Sequence, residues 1–132
     1  MVSDNYLIDT DVLVDHLKAV PEAISALKRL IARGKLFCSV INEAEVLAGM
    51  REDEKDKVGA LFDALNPLGV TREIAQLTGK YRREYKKSHG VQISDALIAA
   101  TASVHNLVLI TLNKRHFPMA EITVEVPYSS KD

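Results

Sequence analysis

Four oxygen-bearing side chains, spread over more than a hundred residues, each fall where an apolar run gives way to a helix or a loop: Asp9, Glu45, Asp95 and Asn113. Asp9 opens the triplet Asp9-Thr10-Asp11, Glu45 follows Asn42-Glu43-Ala44, Asp95 follows Ile93-Ser94, and Asn113 comes two residues after Thr111. Clustered carboxylates repel one another and raise each other's pKa unless a cation sits among them. Hard oxygen ligands, with no paired His and a single Cys, point to Mg²⁺ or Mn²⁺ rather than zinc. Such an ion activates water and stabilises charge on phosphate oxygens, so the chemistry this set suits is metal-assisted phosphodiester cleavage.

For that chemistry the four must meet, and the elements around them say how. Tyr6-Leu7-Ile8 reads as a buried strand, and helical periodicity resumes at Leu13, Val14 and Leu17. Pro21 suits a helix first turn, with Ile24, Leu27, Leu30 and Ile31 on one face until Gly34. Residues 36–41 form a second apolar strand, after which Asn42 opens a helix. Charges at 51–57 mark an exposed turn, and residues 58–65 are helical up to Asn66-Pro67. Thr71 caps a long helix to about Lys87, ended by His89-Gly90. Ser94-Asp95 opens a helix almost bare of charge, which predicts packing on several sides. Asn106 stops it, residues 107–111 form the clearest strand, 113–117 a loop, and 122–126 a last strand. Strands alternating with helices predict a parallel sheet covered on both faces. In such a sheet the carboxyl edge collects strand ends and the N-termini of the helices beside them. Four separate segments then deliver side-chain oxygens to one edge.

Each member also has a purely architectural use. Asp9 or Asp11 serves as a helix N-cap, Asn42 with Glu45 has the spacing of a capping box, and the helix dipole favours Asp95 where it stands. Asn113 is a common turn residue. Glu43 rivals Glu45, since both have apolar neighbours on the helical wheel. The architectural account requires four coincidences on one edge.

Composition narrows the setting. The 132 residues suit one domain over 1–132, with 47% hydrophobic and 27% charged residues, as in ordinary soluble globular proteins. A net charge of −1 gives no global basic field, so any nucleic-acid contact must be local. No stretch has signal-peptide character or membrane-span length, and the lone Cys38, read as buried filler, fits a reducing cytoplasm.

Four motifs in this order resemble the PIN-domain ribonucleases, in particular the VapC toxins of toxin–antitoxin pairs. They are Leu7-Ile8-Asp9-Thr10-Asp11-Val12-Leu13, the run Ser39 to Gly49 around Glu45, Ile93-Ser94-Asp95-Ala96-Leu97-Ile98, and Leu109-Ile110-Thr111-Leu112-Asn113 continuing to Phe117. The resemblance covers nearly the whole chain. It implies a PIN-like α/β/α sandwich, with a central parallel sheet of about four to five strands. It implies that Asp9, Glu45 and Asp95 hold Mg²⁺ or Mn²⁺, with Asn113 at a fourth position where many relatives carry Asp. Spacing from Ser39 and to Gly49 selects Glu45 over Glu43, and Asp11 stands as a supporting residue. The resemblance further implies an endoribonuclease acting on tRNA, rRNA or mRNA to stop translation, a cytoplasmic homodimer, and a VapB-type antitoxin that blocks the site.

Lys80-Tyr81-Arg82-Arg83-Glu84-Tyr85-Lys86-Lys87 offers a basic face that suits RNA phosphates, with Tyr81 or Tyr85 stacking on a base; a solvated face explains it equally. The histidines are scattered, and only Arg115 and His116 fall near enough to touch a substrate. Two rivals remain. Asp9-Thr10-Asp11 resembles the nucleophile motif of haloacid-dehalogenase-like phosphatases, whose later motifs are not evident. A PIN-like scaffold that has lost its activity is the other.

Overall fold

Tyr6, Leu7 and Ile8 are fully buried and form β1 (Tyr6–Ile8), at the centre of a computed structural model that describes residues 4–129. β2 (Leu36–Phe37), β3 (Val108–Ile110) and β4 (Val124–Glu125) complete one sheet in the order β2-β1-β3-β4, and every pairing is parallel. Tyr6 lies between Leu36 and Val108, and the register with β3 runs on to Ile8 opposite Ile110. Parallel neighbours need long crossovers. Helices α1 (Thr10–Leu17) and α2 (Pro21–Ile31) supply the first. The second contains α3 (Val40–Gly49), α4 (Lys55–Leu65), α5 (Arg72–His89) and α6 (Ile93–His105).

Because strand side chains alternate, the sheet divides the interior in two. Tyr6, Ile8 and Ile110 pack with Leu13, Leu27 and Phe62 of the α1–α4 layer. Leu7 and Leu109 pack with Ile74, Tyr81 and the alanines of α6 on the other face. The predicted all-round burial of α6 is present: Ala96, Ile98, Ala99, Ala100, Thr101 and Ala102 are all buried. The expected α/β/α sandwich with a parallel sheet is therefore the fold, with four strands.

Residues 36–41 differ from their expected form. Pairing ends at Phe37, and Ser39 is the N-cap of α3, its hydroxyl accepting from the Ile41 N–H at 3.1 Å. The Ser39 N–H donates to Asn42 Oδ1 at 2.8 Å, so the capping box is Ser39–Asn42 and not Asn42–Glu45. Val40 and Ile41 are helical, and Glu45 sits in the second turn rather than the first. A small hydroxyl residue inside an apolar run marked the boundary, and the apolar run hid it. The last strand is likewise shorter than 122–126, with only Val124 and Glu125 paired to β3.

Helix ends follow their residues. Thr71 caps α5 by accepting from the Ile74 N–H at 3.2 Å, and Asn66, Gly90 and Asn106 end α4, α5 and α6 in left-handed backbone. Gly34 is required for a different reason. A Cβ there would lie 1.6 Å from the Asp4 carbonyl oxygen, so only glycine lets the turn into β2 pass this close to the start of β1.

Candidate active site

Asp9 leaves β1 and caps α1. One carboxylate oxygen accepts from the Thr10 N–H at 2.8 Å, and the other accepts from the Thr111 hydroxyl at 2.8 Å. Thr111 follows β3, the strand beside β1, and its own oxygen accepts from the Asn113 N–H at 3.1 Å. Asp11 is held by the same neighbourhood, accepting from the Leu112 N–H at 3.1 Å and the Val12 N–H at 2.8 Å. Adjacent parallel strands in register thus place the residues after Ile8 and Ile110 side by side.

Glu45 joins this group through Thr10, whose hydroxyl donates to Glu45 Oε1 at 2.6 Å and accepts from Asn42 Nδ2 at 3.0 Å. Asn42 is completely buried and uses its other end to cap α3, so one amide fixes both the helix start and the Thr10 hydroxyl. The rival Glu43 faces elsewhere: its charge bears on the buried Cys38 thiol, which burial chiefly pushes up to about 12. Cys38 is inert filler, as expected.

Asp95 stands in the first turn of α6, where it accepts from the Gln92 N–H at 3.1 Å. His116 connects it to the segment after β3: His116 Nδ1 lies 3.6 Å from Asp95 Oδ2 and 2.9 Å from Asn113 Nδ2. Contacts therefore join the four expected residues in one series: Thr10 links Glu45 to Asp9, Thr111 links Asp9 to the Asn113 N–H, and His116 lies between Asn113 and Asp95. Among the described residues no three His, Cys, Asp or Glu side chains converge closely enough to hold an ion by themselves.

Electrostatics supplies the reason an ion suits this edge. Burial pushes Asp9 up to about 7, and the charges of Asp11 and then Glu45 add to the shift against the bonds from Thr111 and Thr10. Asp11 is also raised, by burial first, against the hydrogen bonds from Leu112, Val12 and Thr111. A divalent cation would relieve such crowding, and the side-chain oxygens at this edge are hard donors of the kind that suit Mg²⁺ or Mn²⁺.

The basic helix face is sorted by burial. Tyr81 is fully buried and its hydroxyl donates to Glu121 Oε2 at 2.8 Å, so it is not free to stack on a base. Tyr85 is partly buried, with its ring 6.0 Å from that of His89 in an edge-on arrangement. His89, Lys114 and Arg115 border a hollow of about 610 Å³ whose apolar wall includes Phe117, Met119 and Ile122.

Thr10 and Asn42 were not singled out by sequence as parts of the site. Their contact spans 32 residues and depends on β1 and β2 being neighbours, which no local pattern encodes. Asp11 as an independent acid, which a phosphatase mechanism needs, finds no support: two backbone N–H groups already hold its carboxylate, one on each oxygen.

A parallel sheet between two helical layers, with its carboxyl edge lined by acids, defines an α/β/α domain with a ligand site at that edge. The chain belongs to the PIN-domain family, whose model matches residues 6–122. It is 44% identical over 115 residues to "Ribonuclease VapC19" of Mycobacterium tuberculosis, covering 86% of this chain and 92% of that one. It is 41% identical over 116 residues to "Ribonuclease VapC10" of the same species, covering 87% of each. Among solved structures it is similar to a toxin–antitoxin complex from Klebsiella pneumoniae, with a TM-score of 0.74 and 29% identity over 95% of this chain and 99% of that one.

Proposed function

We propose that this protein is a divalent-metal-dependent endoribonuclease, the toxin of a type II toxin–antitoxin pair, formed by a single PIN domain over residues 1–132. The observation that carries the reading is the position of Asp9, Glu45, Asp95 and Asn113 at the carboxyl edge of β1 and β3, in a chain similar to VapC ribonucleases along most of its length. Asp9, Glu45 and Asp95 would hold Mg²⁺ or Mn²⁺, with Asn113 as a neutral oxygen donor. Such an ion supplies Lewis-acid stabilisation of the phosphate and a more acidic water.

The chain's own residues do the positioning. Thr111 and the Thr10 N–H fix the two oxygens of Asp9, and Asn42 orients the Thr10 hydroxyl that holds Glu45. Lys114 and Arg115, exposed just beyond Asn113, attract the RNA backbone. A VapB-type antitoxin would act by blocking the acid-lined edge. Action on tRNA, rRNA or mRNA in the cytoplasm, loss of translation, and assembly as a homodimer complete the reading. Among the described residues no helix is long and apolar enough to cross a membrane.

The test is cleavage of total RNA and tRNA by the purified, antitoxin-free protein with Mg²⁺ or Mn²⁺, with EDTA, and beside Asp95→Ala. Metal-dependent cutting that falls by about 100-fold or more in the variant is the expected result. A wild-type protein that stays inert with every metal, matching the variant, leaves only the non-catalytic scaffold.

A further inference from the structure

His116 occupies a position that the reading above leaves without a role. Its ring nitrogen Nδ1 lies 3.6 Å from Asp95 Oδ2 and 2.9 Å from Asn113 Nδ2. Two donors about 2.1 Å from one divalent ion are about 3.0 Å apart at a right angle and about 3.6 Å apart at 120°. Both separations therefore match pairs of ligands on a single ion. The Asn113 carboxamide can turn end for end, which brings its oxygen to the place of Nδ2.

The backbone beneath these groups is already tied down. The Asn113 N–H donates to the Thr111 hydroxyl, and the His116 N–H donates to the Asn113 carbonyl at 3.1 Å within the 3₁₀ turn Lys114–His116. Asp95 Oδ2 is fixed by the Gln92 N–H. A carboxamide and an imidazole thus stand beside the Asp95 carboxylate. One carboxylate with a carboxamide is a weak Mg²⁺ site, whereas adding an imidazole suits ions further along the first transition series.

We infer that His116 is a nitrogen donor to the divalent ion at the Asp95 end of the site, biasing that site toward Mn²⁺ and later first-row ions over Mg²⁺. This rests on the reading of Asp95 and Asn113 as metal-binding residues.

The test is Mn²⁺ binding to the full purified chain, followed by electron paramagnetic resonance, with electron-spin-echo modulation to detect nitrogen bound to the ion. Wild type is compared with His116→Ala and His116→Asp, each checked for folding by circular dichroism. The wild type is expected to show ¹⁴N coupling from a bound imidazole. His116→Ala loses the coupling and binds Mn²⁺ about tenfold more weakly or worse. His116→Asp, which swaps nitrogen for oxygen, also lacks the coupling but binds Mg²⁺ more tightly than wild type, and it serves if the alanine variant does not fold. A wild-type spectrum without ¹⁴N coupling, coupling that persists in both variants, or no bound Mn²⁺ overturns the inference. If RNA is cut and no coupling is seen, the nuclease reading survives and the His116 donor does not. If coupling depends on His116 and no RNA is cut, the donor stands and the nuclease reading fails.

Discussion

Asp9 bears the greatest electrostatic strain among these side chains, and the sign of that strain makes a stability prediction. Its pKa is raised from 3.8 to about 7 in the folded chain, so the folded state holds this proton more tightly than the unfolded state does. The associated stability is fully present below the unfolded value and is lost as pH rises from 3.8 through about 7. Above pH 7, without metal, Asp9 is a buried charge facing Asp11 and Glu45. Asp9→Asn removes that charge while retaining an oxygen that can accept from Thr111. Thermal unfolding in EDTA at pH 8 is expected to show the variant melting about 3 °C or more above wild type, with the gap narrowing as pH falls below about 7 and closing only near 3.8. A variant that melts below wild type at pH 8 contradicts this account of Asp9. The same substitution is expected to abolish metal-dependent cleavage, so stability and activity move in opposite directions at one residue.

At the scale of elements, the tightest local requirement is the passage from α2 into β2. Gly34→Ala forces a methyl group against the Asp4 carbonyl, a backbone atom with little freedom to retreat. A loss of about 1–3 kcal/mol, read by urea unfolding, is expected, and an unchanged midpoint excludes this contact as a constraint. Elements with unmixed signals were legible in the sequence: β1 and β3 from short runs buried on both faces, α5 from its Thr71 cap, α6 from Asn106 and its dearth of charge. Those in which one residue serves two patterns were not. Ser39 lies inside an apolar run yet starts a helix, and Tyr81 shares its helical face with Tyr85, yet only Tyr81 is fully buried. Of the four candidate positions, Asp9, Asp95 and Asn113 lie at the strand ends and helix start that periodicity locates, whereas Glu45 lies a turn further into α3 than expected. The site's internal wiring through Thr10, Asn42, Thr111 and His116 was not legible, since each link depends on how strands pair or how a loop turns.

For the whole molecule, the order β2-β1-β3-β4 means that the chain leaves β1 on one side and later returns on the other, opening a crevice at the carboxyl edge between them. The two buried clusters lie on opposite faces of the sheet. Asp9 and Glu45 grow from the α1–α4 layer, whereas Asp95 belongs to the α5–α6 layer together with Phe117, which packs there just after His116. The candidate edge thus draws its acids from both layers of packing, on either side of the short strands. An ion bound by acids from both layers, as proposed, would fasten them, as a clasp closes two halves of a case. Hydrogen exchange by mass spectrometry is expected to show amides of α1, α3 and the start of α6 slowing together when Mn²⁺ is added. Slowing confined to one layer would place the ion wholly on that side. On the proposed reading, the metal's presence or absence would set how firmly the two layers of this small protein are held to each other.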